Sequence, residues 1–379
     1  MIRLLVVDDS ALMRKVLGGI FAAEGDFDLA FARDGLEALD LLARFAPDVI
    51  TLDVTMPGLD GLACLDRIML ERPCPVVMLS SLTAEGTEAS LEALARGAVD
   101  VLAKPAGAVS LEIDRLAPVL VQKVRAAARA RPRGPGLAAR LRARHAGLVA
   151  PPAPHRAETH RAETPRAAKR PMPEAADPVE SRDVGHAPEP PGLVLVGAST
   201  GGPPALTTLL GGLPAGFPWP IVVAQHMPAS FTGALARRLD GLSALAVQEV
   251  TGPVALVPGR VYVGRGDADV IVVRRPGGLM AAPAPAQAEY PWHPSVDRLV
   301  ESALDLVPAR RLVGVLMTGM GRDGARTMAA LRERGGRTIA EAEATAVVWG
   351  MPGELVRAGG ASLVAPLEAI AAELTALVS

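Results

Sequence analysis

The sequence predicts two α/β units in series, each built on a parallel or mostly parallel sheet with helices on both faces. Three observations lead there. Short all-apolar runs recur, each closed by polar or small residues and followed by a stretch of helical period, which is how strands buried on both faces read. These runs fall into two groups, one before residue 128 and one after residue 192, and the segment between them lacks the period. The length, 379 residues, is generous for one domain and comfortable for two plus a linker. The expected division is 1–128, a linker over 129–191, and 192–379.

Composition narrows the function classes. The formal net charge is −2, so no global field points to nucleic acid or to a membrane surface. Cys64 and Cys74 are the only cysteines and lie in apolar surroundings. A disulfide framework is excluded by count, and buried thiols in a reducing compartment are expected. No basic-then-apolar leader precedes Ile2 and no apolar run reaches membrane-spanning length, so a cytoplasmic protein without direct membrane insertion is expected.

In the first group, strands are expected at Ile2–Val7, Phe27–Phe31, Asp48–Leu52, Val76–Leu79 and Val99–Leu102. Helices are expected from Leu12 and near 35–45, 60–70, 84–96 and 109–128. Five β/α repeats at this spacing give a five-stranded parallel sheet, whose ligands bind at the carboxyl ends of its strands. Asp8 and Asp9 follow the first strand and Asp53 follows the third. Three converging carboxylates are unstable without a cation, and hard oxygens suit Mg²⁺. Ser80 and Ser81 end the fourth strand, and Lys104, followed by Pro105, ends the fifth. A lysine among carboxylates suits an added phosphoryl group.

Asp8-Asp9-Ser10, Asp53-x-x-Met56-Pro57-x-x-Asp60-Gly61, Ser80-Ser81 and Lys104-Pro105 resemble the receiver domain of response regulators, a flavodoxin-like fold, across about 1–125. The resemblance implies that Asp53 takes phosphate from a histidine kinase, that Asp8 and Asp9 join Asp53 in holding Mg²⁺, that Ser80 is the switch hydroxyl and that Lys104 contacts the phosphoryl group. Where receivers often carry a switching aromatic, this chain has Val101.

From about Arg129 to Pro191 the chain is rich in Pro, Ala and Arg, lacks aromatic residues and repeats the pentapeptide His155-Arg-Ala-Glu-Thr at His160. Such a composition buries too little apolar surface to offset chain entropy, so an extended, disordered linker is expected. The stretch 139–144 could prolong the last helix of the first unit. Its arginines have no stacking aromatics beside them, which argues against nucleic acid.

The second unit is organised around Leu193-Val-Leu-Val-Gly-Ala-Ser-Thr-Gly-Gly202, a buried strand breaking into a small-residue turn before a helix. Gly197-x-Ser199-x-Gly201 has the spacing of a nucleophile elbow. An activated serine needs a base and a group that orients the base. His226 ends the buried run Pro220–Gln225, and Asp323 lies in the loop after Leu312–Thr318. Parallel packing would bring Ser199, His226 and Asp323 to one sheet edge. His293 is the competing base, with Asp267 or Asp269 to orient it. It precedes a helix rather than following a strand, in a region (252–292) expected to hold short strands and turns, so the placement favours His226. Gly319-x-Gly321-x-x-Gly324 matches the dinucleotide fingerprint, with Glu341 ending the next strand. A carboxylate at Asp323 would face the pyrophosphate, and the glycines better serve to bring the loop against Ser199, with N–H groups near Met320 as oxyanion donors.

Gly197-Ala-Ser-Thr-Gly-Gly202, Gln225-His226-Met227-Pro228, Pro294-Ser295-Val296-Asp297, Thr318-Gly319-Met320-Gly321-x-Asp323-Gly324 and Gly350-Met351-Pro352 resemble the chemotaxis protein-glutamate methylesterases, the CheB family, across 192–379. The resemblance implies a doubly wound catalytic domain with Ser199 as nucleophile, His226 as general base, Asp323 orienting it, and Thr200 and Met320 lining the site. It implies hydrolysis of glutamyl methyl esters, and in many members glutamine deamidation, on chemoreceptor cytoplasmic helices, with no cofactor for the hydrolysis and a receiver that covers the site until phosphorylated. Two other function classes compete: a receiver-controlled binding module with an inert second half, and a dinucleotide-dependent oxidoreductase.

Overall fold

A computed structural model describes residues 1–81, 83–104, 110–130 and 190–378. Pro105 and the expectations for 131–189 (linker disorder, the helical extension at 139–144, the repeated pentapeptide) lie outside the described residues.

The first sheet contains β1 (Ile2–Val7), β2 (Phe27–Ala32), β3 (Val49–Asp53), β4 (Val76–Ser80) and β5 (Asp100–Ala103). Its strands are all parallel in the order β2-β1-β3-β4-β5, the flavodoxin-like order expected. The connecting helices are α1 (Ala11–Glu24), α2 (Gly35–Arg44), α3 (Gly61–Glu71), α4 (Ala84–Ala95) and α5 (Ser110–Ala128). Side chains mark where the first four begin: Ser10, Asp34, Asp60 and Thr83 accept from the N–H groups of Met13, Glu37, Ala63 and Gly86. Cys64 and Cys74 are buried, and burial pushes both thiols up to about 12, consistent with inert core residues.

The second sheet has seven parallel strands in the order β15-β14-β13-β6-β7-β10-β8. At its centre are β6 (Leu193–Ala198), β7 (Ile221–Gln225) and β13 (Leu312–Leu316). The other members are β8 (Ala246–Val250), β10 (Arg260–Gly264), β14 (Arg337–Glu341) and β15 (Leu363–Ala365). The helices are α6 (Gly202–Gly211), α7 (Ala229–Asp240), α8 (Val296–Leu304), α9 (Ala325–Glu333), α10 (Met351–Arg357) and α11 (Leu367–Val378). The region 252–292 departs from the short strands expected. There β9 (Val254–Ala255), β11 (Ala268–Arg275) and β12 (Gly278–Pro285) form an antiparallel sheet, β11 and β12 pairing over eight residues each. Val270, Val272, Leu279 and Ala281 join its buried face to the core beneath α8.

The two halves share packing. Leu91 and Leu94 of α4 belong to the same buried cluster as Leu206 and Leu209 of α6 and Leu235 of α7. Val347 of the second half is buried within the first half's cluster. Each fully buried aliphatic side chain contributes roughly 1.5–3 kcal/mol relative to exposure. The Arg238–Glu92 ion pair across the same contact, at 3.3 Å, is worth about 0–1 kcal/mol, so at this patch packing outweighs the ion pair.

Candidate active site and phosphoacceptor rim

Register places the first two catalytic candidates side by side. Ala198 pairs with Gln225, so Ser199 and His226 are the next residues on adjacent parallel strands, and the His226 N–H donates to the Ala198 carbonyl at 3.0 Å. The Gln225 amide donates to the carbonyls of both Ser199 (2.9 Å) and His226 (3.1 Å), tying the two turns together. On the other side of β6, the Ser199 N–H donates to the Thr318 carbonyl. Gly319 then crowds Ser199: a Cβ there would sit 2.8 Å from the Ser199 Cβ, closer than real side chains approach. This is the close approach that the glycines of 319–324 were expected to serve. With Asp323 buried against His226, no carboxylate-free cradle for a pyrophosphate exists in that loop.

His226 Nε2 lies 2.8 Å from Asp323 Oδ2. Asp323 also accepts from the Val296 N–H (2.7 Å), the Asp297 N–H (2.9 Å) and the Ser295 hydroxyl (3.2 Å) at the start of α8. Burial pushes the Asp323 carboxyl up, but the His226 bond and these N–H donors outweigh it and hold it below the usual carboxylate range. An ionised carboxylate at Nε2 makes that nitrogen the N–H, which leaves Nδ1 with the lone pair. Nδ1 is buried and, among the described residues, has no hydrogen-bond partner, and the Ser199 hydroxyl has none either. The N–H groups of Thr200 and Met320 are likewise without partners among the described residues.

The competing base sits elsewhere. His293 Nδ1 is 2.8 Å from Asp269 Oδ1, and Asp269 also accepts from the Ser295 N–H and from Arg298. This group braces the loop before α8. Asp267 caps the Ala229 N–H instead.

At the edge of the first sheet, Asp8 and Asp53 are buried and Asp9 is exposed, and oxygens of all three lie within 4.8 Å of one another. Lys104 Nζ is 2.7 Å from both Asp8 Oδ2 and Asp53 Oδ2. Burial and the neighbouring Asp8 charge push the Asp53 carboxyl up against the pull of Lys104. Burial would lower Lys104, but the two carboxylates more than compensate and raise it. The Ser80 hydroxyl donates to the Gly86 carbonyl at 2.9 Å, in the first turn of α4. Val101 is buried in β5, with no ring to rotate.

The chain matches the family model of the CheB methylesterase over residues 194–374 and that of the response regulator receiver domain over 4–113. It is 58% identical to a protein-glutamate methylesterase/protein-glutamine glutaminase of Rhodopseudomonas palustris, covering 98% of this chain and 97% of that protein. The chain belongs to the CheB methylesterase family. Within it, a Rhodospirillum rubrum member is 50% identical, covering 100% of this chain and 97% of its own length. A Vibrio cholerae member is 41% identical, covering 94% and 90%.

Three participants escaped the sequence reading of this family member. Residues Ser295 to Asp297 cradle Asp323, although their motif had suggested no role. Trp292 stacks on His226, with ring centroids 5.8 Å apart and planes inclined by 15°. Asp100, on the first sheet, accepts from the Thr200 hydroxyl at 2.6 Å and from Lys123 Nζ at 2.9 Å, while the Val99 carbonyl accepts from the Gly201 N–H at 3.1 Å. The first unit thus touches both residues that follow Ser199.

Proposed function

We propose that this chain is a phosphorylation-controlled serine esterase that removes methyl groups from glutamate esters on chemoreceptor cytoplasmic domains and deamidates glutamines by the same route. The single observation that carries the reading is the 2.8 Å contact of His226 Nε2 with Asp323, which leaves the buried Nδ1 without a partner among the described residues, on the turn beside that of Ser199. Ser199 Oγ attacks the ester carbonyl carbon as its proton passes to His226 Nδ1. The oxyanion is met by the N–H groups of Thr200 and Met320. Collapse breaks the bond to the alkoxy oxygen of an ester, or to the amide nitrogen of a glutamine, and that atom takes the proton from His226 and leaves as methanol or as ammonia. Water, deprotonated by His226, then cleaves the acyl-enzyme to glutamate and restores Ser199.

Regulation lies at the first sheet. The hard oxygens of Asp8, Asp9 and Asp53 fit Mg²⁺ in their spacing and donor type, and would hold it while a histidine kinase phosphorylates Asp53. The ion would neutralise charge on the transferring phosphoryl group. Lys104 meets the added phosphoryl group, and Ser80 is the hydroxyl that turns toward it. The first unit lies on the turn after Ser199 through Val99 and Asp100. It occupies the Gly201 N–H and the Thr200 hydroxyl where a receptor glutamyl group must approach. Phosphate on Asp53 shifts this two-state contact toward release.

The test is methanol release from methylated receptor membranes with and without a phosphodonor. Wild type is expected to accelerate on phosphodonor addition and Asp53→Asn to remain at its unstimulated rate. Equal stimulation of Asp53→Asn would remove the regulatory part of the proposal.

A further inference from the structure

The catalytic imidazole is held by more than its carboxylate. Asp323 fixes one edge of the ring, while one of its faces is covered by the Trp292 indole in a near-parallel, offset stack. The 5.8 Å centroid separation lies within the range in which aromatic pairs attract. The indole also reaches the oxyanion loop: a Cβ on Gly321 would lie 3.8 Å from the indole nitrogen. Trp292 therefore spans the base and the loop that carries Met320.

The loop bearing this ring is braced on both sides. Before it, the Tyr290 hydroxyl donates to Glu301 at 2.7 Å, a bond that pushes the phenol up to about 12. After it, His293 bonds Asp269, whose side chain is fully buried and also held by Arg298 at 2.6 Å. The elaborate His293–Asp269–Arg298 group, which takes no part in the ester chemistry, acquires a purpose as the anchor of Trp292.

We infer that Trp292 is a positioning residue for the general base, its indole holding the His226 ring so that Nδ1 addresses Ser199 and favouring the imidazolium that forms as the proton arrives. This rests on the reading of His226 as the base. Nδ1 is buried without a partner among the described residues, so hydrogen bonding alone does not stop the ring from tilting about its one bond to Asp323. A stacked face opposes that tilt. A cation over an indole face is attracted by the ring's quadrupole, and the attraction exists only once the imidazole is protonated, so it lowers the barrier rather than the ground state.

The experiment compares kcat and KM for demethylation of receptor membranes by the full chain under phosphodonor, in wild type, Trp292→Leu and Trp292→Phe. Leucine keeps apolar bulk without a π face, and phenylalanine keeps a smaller π face. Trp292→Leu is expected to lower kcat about three- to thirtyfold with KM within about twofold, and Trp292→Phe to recover most of the loss. A small organophosphate that modifies Ser199 should inactivate Trp292→Leu more slowly by a similar factor, which reads the base without the receptor. Wild-type kcat in Trp292→Leu, a loss confined to KM, or a loss that phenylalanine does not recover would each overturn the inference. Should Trp292→Leu melt early, Trp292→Met carries the same comparison. Ser199→Ala is run beside them: wild-type turnover in that variant would sink the underlying active-site reading, whereas its silence together with an unaffected Trp292→Leu would sink only the role of the indole.

Discussion

Asp323 accepts four hydrogen bonds, and only one of them comes from His226. The other three come from the first turn of α8 and its cap, where unpaired N–H groups favour negative charge. The carboxylate is thereby fixed in both position and ionisation before any substrate arrives. Replacing it by an amide keeps the shape but offers an NH₂ where acceptors are needed, and it permits the wrong imidazole tautomer. Asp323→Asn is expected to lower kcat by roughly 10³–10⁴-fold while leaving KM for methylated receptors near wild type, measured by methanol release. At this scale the serine, the imidazole and the carboxylate were legible because each follows an uninterrupted apolar run, the mark of a strand buried on both faces. Trp292 was not, because a single aromatic in a loop between Pro291 and His293 has no period that says which ring it will meet.

The helices begin in two ways. The helices α1 to α4 and α8 are capped by side chains, whereas α6 and α9 begin at Gly201 and Gly324 in the left-handed region with no side-chain cap. Around Ser199 the Gly201 N–H is taken by the Val99 carbonyl of the first unit, while those of Thr200 and Met320 have no partner among the described residues. Gly319 shows how tightly the elements meet there. Gly319→Ala would push the 319–324 loop off Ser199, and a displacement on the order of 1 Å costs about 10²-fold in rate. Measured kcat should fall by that order, and because the same Cβ would also meet the buried Met351 sulfur of α10, the melting temperature should fall with it. The first sheet was legible almost to its strand ends, and so was its flavodoxin-like order, whereas β8, β10 and β15 were not expected in the second sheet. Over 252–292 the sequence suggests short strands and turns, and β11 and β12 instead pair over eight residues each, sheet pairing outweighing the Gly and Pro residues in them.

Across the whole molecule, two elements run from the Asp53 rim to the turn that carries Ser199. Ser80 leads into α4, whose Leu91 and Leu94 pack on the second half, and Lys104 follows β5, which carries Asp100 to Thr200. The rim and the esterase site are therefore joined by two rigid segments, and a change at Asp53 needs no longer route. Asp100→Asn weakens the bond to Thr200 and leaves the side chain its volume. It is expected to raise methanol release without phosphodonor by up to about tenfold and to shrink the further gain on phosphorylation, because the closed state has lost differential contact. Nothing in the sequence around Asp100 announced this contact. Periodicity reports which face of an element is buried, not which foreign surface buries it.

The most direct test of the account is methanol release from methylated receptor membranes by Ser199→Ala in the presence of phosphodonor, set against wild type at equal folded concentration. The account predicts release at the background of enzyme-free membranes; release at the wild-type rate would contradict it.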